Sequence, residues 1–210
     1  MTIDGIAVTT LARTGLDLAR QESKRNALVV LDAILGRGVP REEVEAVLAR
    51  MTRWPGVRAA REALRLADGR CESALESLSR WRLLEAELPA PELQVEIWLG
   101  GTYVHRADKL WLPEGVVGED DGLAKFGDDP ADKEQSFRAL KANEDVMTEC
   151  GLVLARWGWD DAFGSATKVP DRVRRAFDRA RPERLHPELR FVLTTVEDRV
   201  RRDAARRRAA

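Results

Sequence analysis

The stretch Leu93-Gln94-Val95-Glu96-Ile97-Trp98-Leu99-Gly100-Gly101-Thr102-Tyr103-Val104-His105-Arg106-Ala107-Asp108-Lys109-Leu110-Trp111 decides the fold. Leu93, Val95 and Ile97 alternate with Gln94, Glu96 and Trp98, the two-residue period of a half-buried strand. Gly100-Gly101 supplies a turn, and Tyr103 to Trp111 reads as the returning strand of a hairpin. Further on, Gly115 to Glu119 forms a short third strand, Ala131 to Glu149 a helix, and Leu152 to Trp157 a fourth strand after the helix-ending Gly151.

Upstream of the hairpin the period is helical. Leu75, Leu78, Trp81 and Leu84 place one stripe on a helix over Glu72 to Glu85, closed by Leu88-Pro89-Ala90-Pro91. Between residues 10 and 67, Leu28, Leu31, Ile34 and Leu35, then Val44, Val47 and Leu48, recur at three- and four-residue spacing. Gly36, Gly38 and Pro40 break that pattern once, and Pro55-Gly56 breaks it again. Downstream, a helix is expected from about Pro170 to Arg181 and another from Pro187 onward. The order is therefore helices, three strands, helix, strand, helices, in three segments: a helical extension over 1–67, a domain over 68–167, and basic helices over 168–210.

Composition sets limits on the class. Of the 210 residues, 44% are hydrophobic and 34% charged, a balance suited to a folded protein with solvated helix faces. The longest apolar runs, such as Ala27-Leu28-Val29-Val30-Leu31, are too short for a membrane span, and the N-terminus lacks the basic and apolar regions of a secretory leader. A cytoplasmic location without membrane association is expected. Cys71 and Cys150 are far apart and have no CxxC or histidine pair beside them, so reduced thiols are expected rather than zinc or a disulfide. The net charge of −1 is unevenly spread, with basic excess over 168–210 and acidic excess over 114–149.

Carboxylates at strand ends are the chemically informative residues. Hydrolysis of a phosphodiester needs a hard cation, and such cations take oxygen ligands from several elements. Asp108 lies near the end of the second strand and Glu119 at the end of the third, so antiparallel neighbours bring both to one edge. Alternation sets Glu119 and Asp121 on one face and Asp120 on the other, which favours Glu119 and Asp121. Glu72 and Glu76 share a face of the preceding helix. Taken alone, the same acids read equally as a solvated turn before Gly122 and a dipole partner at a helix start.

Four ordered runs resemble a known family: Glu72-Ser73-Ala74-Leu75-Glu76-Ser77, Leu88-Pro89-Ala90-Pro91-Glu92-Leu93-Gln94-Val95, Arg106-Ala107-Asp108-Lys109-Leu110-Trp111 and Val117-Gly118-Glu119-Asp120-Asp121-Gly122. With Glu144-Asp145 and Leu154-Ala155-Arg156-Trp157-Gly158-Trp159, they resemble the very-short-patch-repair-like endonucleases of the PD-(D/E)XK superfamily, over roughly residues 70 to 163. The resemblance implies a restriction-endonuclease-like α/β (α+β) fold, a mixed sheet flanked by helices, with the N-terminal helical extension and C-terminal helices outside it. It also implies a DNA-cutting hydrolase using Mg2+ or Mn2+, with Glu76, Asp108, Glu119 and Asp121 as its acidic site, metal ligands Asp108, Glu119 and Glu76, and Gln94 as the strand glutamine. Residues 1 to 67, with Thr9-Thr10-Leu11-Ala12-Arg13-Thr14 and Leu28-Val29-Val30-Leu31-Asp32-Ala33, resemble the segment that follows the winged helix in actinobacterial AbiEi-like antitoxins or regulators. No winged helix is legible in this sequence.

The lysine that a PD-(D/E)XK site carries two residues after its acid is here Asp121. Lys125 is the nearest lysine beyond it and reads equally as an assisting cation or as a loop residue. His105 reads as a packing or surface residue and His186 as a loop residue. Arg172, Arg174, Arg175 and Arg179 on one helix are candidates for phosphate contact, against the plainer reading of a solvated helix. The expected partner is DNA, alongside a protein partner or a second copy. Two functions stand: a metal-dependent endonuclease, or a catalytically inactive DNA- or protein-binding module of an antitoxin-like regulator.

Overall fold

The computed structural model describes residues 2–122, 130–164 and 168–209. The protein is a mixed α/β chain with a five-stranded mixed sheet flanked by helices. It divides into two compact units, one of residues 1–78 with 195–210, the other of residues 79–194. The helix starting near 170 joins the sheet-bearing unit, and the last helix joins the N-terminal one.

The first unit opens on a two-residue hairpin, β1 (Thr2–Ile3) and β2 (Ile6–Ala7), followed by α1 (Leu11–Ala19), α2 (Lys24–Gly36), α3 (Arg41–Arg50) and α4 (Val57–Leu66). Thr10 and Ser23 begin α1 and α2, because each side-chain oxygen accepts the N–H three residues on, from Arg13 and Asn26. Most of the helical stripes foreseen from spacing are in the core: Leu28, Leu31, Ile34, Leu35, Val44 and Leu48 are buried, Val47 is half-buried, and Leu16, Ala60, Ala63 and Leu64 join the core from elsewhere. Asp32 is also buried, and accepts the Asp68 N–H at 2.7 Å. Gly56 is held at φ +76, and a Cβ there would lie 1.7 Å from the Arg20 carbonyl oxygen, so only glycine fits this approach.

The helix α5 (Ala74–Glu85) passes from one unit into the next. In the second unit the sheet order is β6-β5-β4-β3-β7, with β3 (Glu92–Leu99), β4 (Thr102–Trp111), β5 (Val116–Asp120), β6 (Val153–Trp157) and β7 (Leu189–Leu193). The β3–β4 hairpin, β4–β5 and β3–β7 are antiparallel, while β5 and β6 run parallel through the crossover helix α6 (Pro130–Glu149). A short α7 (Trp159–Phe163) and α8 (Val169–Arg179) follow, and α9 (Val196–Ala209) ends the described chain.

One element departs from expectation. The helix read from Pro187 onward is instead a strand over Leu189–Leu193, paired residue for residue with Leu99 back to Val95, and helix resumes only at Val196. Val95, Ile97, Ala107, Leu110, Val117, Met147, Cys150, Leu152 and Leu189 make one apolar cluster in the sheet-bearing unit. Gly118 admits two indoles: a Cβ there would lie 2.7 Å from the Trp157 ring and 3.1 Å from that of Trp111. Trp111 meets Phe177 of α8 edge to face at 5.5 Å between centroids and donates its Nε1–H to Pro89 O at 2.7 Å.

Candidate metal-dependent site at the sheet

The β4–β5 ladder pairs Trp111 with Val116, Leu110 with Val117 and Lys109 with Gly118, and then stops. Beyond that point polar side chains replace ladder bonds. Asp108 reaches across to accept the Asp120 N–H on Oδ2 at 2.9 Å, while its Oδ1 accepts from the Gln94 amide at 3.3 Å. Glu119, one residue past the last pair, brings Oε1 to 3.0 Å from His105 Nε2. All three polar groups that frame the gap are buried, with Gln94 2%, Asp108 8% and Glu119 3% exposed.

Gln94 holds this arrangement at a cost. Its φ of +55 lies in the left-handed region, which a non-glycine residue inside a strand occupies at roughly 1–3 kcal/mol of strain. Neighbours hold it there: Leu93 and Val95 stay in register with Lys109 and Ala107, and Thr194 donates its hydroxyl to the Gln94 carbonyl. The twist turns the amide onto Asp108.

Behind the gap lies a second buried polar group. Lys109 Nζ is ion-paired with Asp120 Oδ2, and both side chains are excluded from solvent. Asp120 Oδ1 also accepts from Ser79 Oγ at 2.6 Å and from Trp157 Nε1 at 2.7 Å. Lys109 and Asp120 share a face because their strands pair antiparallel, whereas Asp108 and Glu119 belong to the alternate positions. The ion pair therefore fixes the two strands against each other beside Asp108 and Glu119.

The other residues expected at the site are placed as follows. Asp121 is exposed, its N–H donating to Trp157 O at 2.9 Å and its carboxylate 3.7 Å from the Arg156 guanidinium. Glu76 belongs to the first unit and caps its own helix: Oε1 accepts from Ser73 Oγ and Oε2 from the Glu72 N–H, both at 2.8 Å, while Ser73 Oγ accepts the Glu76 N–H. The S-x-x-E spacing was the signal for that cap. Lys125 lies outside the described residues. His105 and the pair Lys109–Asp120 are the residues that sequence reasoning passed over. Which side chain meets Glu119 depends on where the ladder ends, and that point was not legible.

A hard divalent cation fits this donor set. Mg2+ takes one or two carboxylates at a protein site and keeps waters or substrate oxygens elsewhere in its shell. Asp108 and Glu119 are the two carboxylates on neighbouring strands there. Among the described residues no group of three or more His, Cys, Asp or Glu side chains converges as a metal cage.

Comparison with known proteins adds two uncharacterized relatives. The chain is 32% identical over 180 residues to an uncharacterized protein of Mycobacterium tuberculosis, in each of the strains CDC 1551 / Oshkosh and ATCC 25618 / H37Rv. The match covers 85% of this chain and 65% of each relative, so the chain spans about 65% of the length of the curated relatives it matches. No family profile matches the chain, and no solved structure matches it. Among the described residues no helix is long and apolar enough to cross a membrane.

Proposed function

We propose that the protein is a divalent-metal-dependent endonuclease that hydrolyses phosphodiester bonds in DNA. One observation carries the reading: two buried carboxylates, Asp108 and Glu119, stand on neighbouring strands at the point where the ladder between them ends, each already held by a hydrogen-bond partner, Gln94 and His105. Burying two acids is costly unless something positive joins them. Asp108 and Glu119 are the residues to hold Mg2+ or Mn2+, which when bound polarises a phosphate oxygen and lowers the pKa of a coordinated water. Gln94 and His105 are positioning residues that keep the two carboxylates aimed, as outer-shell partners of metal ligands do.

A second reading has an observation of its own. Asp121 occupies the position of the assisting lysine and lies exposed against Arg156, which suits a chain that keeps the sheet for DNA or protein binding, as in an antitoxin-like regulator, without the chemistry.

Cleavage of supercoiled plasmid and of single-stranded DNA with Mg2+ or Mn2+ separates the two. The endonuclease reading expects cutting that chelator abolishes and that Asp108→Ala and Glu119→Ala each reduce to background with the circular dichroism spectrum unchanged. A folded wild type that cuts neither substrate with either metal would overturn it and leave the binding module.

A further inference from the structure

A cavity of about 450 Å3 lies between β6 and α8 in the sheet-bearing unit. β6 is the terminal strand of its sheet, so its outer side lacks a ladder neighbour among the described residues. Four arginines line the cavity, Arg156 from the strand and Arg172, Arg175 and Arg179 from the helix, against one carboxylate, that of Asp178. The three helix arginines recur at three- and four-residue spacing and so form one stripe. Arg174 falls off that stripe; it pairs with Asp171 at 3.1 Å, reaches Ala86 O at 3.5 Å, and does not line the cavity.

Two of the four guanidiniums are fixed in place. Glu144 holds Arg156 at 2.8 Å and Asp161 holds Arg172 at 3.0 Å, each through one terminal nitrogen. The Nε atoms of both are buried, and among the described residues no acceptor reaches them. A buried donor without an acceptor is costly, and an incoming oxyanion would relieve that cost as the side chains adjust to it. Arg179 donates to the main-chain oxygens of Arg175 and Leu154, which leave its charge uncompensated. Arg175 is exposed, with no carboxylate at ion-pair distance among the described residues. With Glu144 at 2.8 Å and Asp121 at 3.7 Å from Arg156, and Asp161 on Arg172, the charge left to the cavity is that of Arg175 and Arg179, which suits a single oxyanion rather than a broad basic surface.

Arg156 is also the register partner of Glu119 across the parallel β5–β6 pair, and such neighbours lie about 4.8 Å apart. The cavity therefore begins one strand away from the Asp108 and Glu119 carboxylates. We propose that it binds one backbone phosphate of a nucleic-acid strand whose nearby phosphodiester lies at those carboxylates. That the oxyanion belongs to a nucleic acid rests on the endonuclease reading; that it is an oxyanion rests on the arginines.

The test is binding of labelled duplex and single-stranded DNA to the full chain in chelator, so that cleavage plays no part, read by fluorescence anisotropy between about 50 and 200 mM salt. Arg175→Ala and Arg179→Ala are each expected to weaken binding several-fold and to lower the salt slope by about one. Asp178→Asn is expected to tighten binding, and Arg174→Ala to leave it within about twofold, since one stripe of α8 and not its whole charge makes the site. Equal losses in Arg174→Ala and Arg175→Ala, or no DNA affinity in the wild type, would overturn the proposal. So would phosphorus NMR in which inorganic phosphate binds the wild type and not Arg175→Ala while DNA does not bind, because the cavity would then be a small-anion site. Arginine-dependent DNA binding without metal-dependent cutting would instead sink the endonuclease reading and leave the cavity's assignment standing.

Discussion

Replacing Lys109 by methionine removes an ammonium from a place that water does not reach. Its partner Asp120 would keep the hydroxyl of Ser79 and the indole N–H of Trp157, but its charge would be buried uncompensated. Breaking one side of a buried ion pair costs about 3–5 kcal/mol, a large share of the roughly 5–15 kcal/mol by which a folded domain is stable. With a urea dependence of about 2 kcal/mol per molar, the midpoint of the sheet unit should fall by about 1.5–2.5 M. Asp120→Asn should lose a similar amount, because Lys109 is then the buried charge. The double variant Lys109→Met/Asp120→Asn has no charge left there and an amide oxygen that accepts the same two hydrogen bonds, so it should recover at least about 2 kcal/mol of the summed losses. Tryptophan fluorescence suits the assay, since Trp81, Trp98, Trp111, Trp157 and Trp159 all belong to this unit. Single variants that lose less than about 1 kcal/mol, or a double variant whose loss equals the sum of the two, would refute the argument that the pair locks β4 to β5.

Three further outcomes follow from other contacts. Gly118→Val forces a branched side chain against the Trp157 and Trp111 rings, which cannot swing aside, so it should cost about 1–3 kcal/mol or more; an unchanged thermal midpoint would show that the indoles have room to move. Arg13 hydrogen-bonds Asp17 and holds its carboxyl below the usual range, against the opposing effect of burial and with Arg20 assisting. A carboxyl depressed in the folded state contributes stability above its unfolded pKa of about 3.9 and loses it as pH falls through the lower folded value. The thermal midpoint of Asp17→Asn should thus lie below wild type near neutrality and converge with it in acid; a gap that widens toward low pH would contradict this sign. Burial pushes the Cys150 thiol up, with Glu149 adding to the effect, so alkylation at neutral pH should be slow until denaturant opens the unit, whereas rapid labelling of the native protein would place the thiol at the surface.

The strands that announce themselves by alternation, β3 and β4, were legible because polar and apolar residues take turns across a Gly-Gly break, and the helical stripes of the first unit were legible for the parallel reason at the longer period. β7 was not. Leu189-Arg190-Phe191-Val192-Leu193 is a five-residue segment, apolar apart from Arg190, too short for periodicity to separate strand from helix, and what makes it a strand is a partner far away in sequence. Phe191 and Val192, flanked by Pro187 and by Thr194-Thr195, were the local hint. At the site, Asp108 and Glu119 could be placed on neighbouring strands from alternation alone. The choice of Asp121 over Asp120 followed the same alternation, but the sheet makes Asp120 the buried partner of Lys109 and leaves Asp121 at the surface. Which acid ends up paired depends on where the β4–β5 ladder stops, and no residue type marks that place. The nearness of His105 to Glu119 was hidden for the same reason, while Glu76 carried two signals at once, a family position and a helix cap, and only the cap involves residues beside it in sequence.

β7 has a consequence for how the chain is made. It closes the far side of β3, yet the two are separated by the roughly 90 residues between Leu99 and Leu189, which a ribosome adding about 5–20 residues per second needs roughly 5–20 s to supply. During that interval β3 can pair with β4, but its other flank, Val95 to Leu99, has no lawful neighbour and is open to any strand that arrives first. Slow decoding after residue 160 should therefore lower the yield of native protein, and a peptide matching Leu189–Leu193 added in trans should compete with the chain's own strand for the same vacancy.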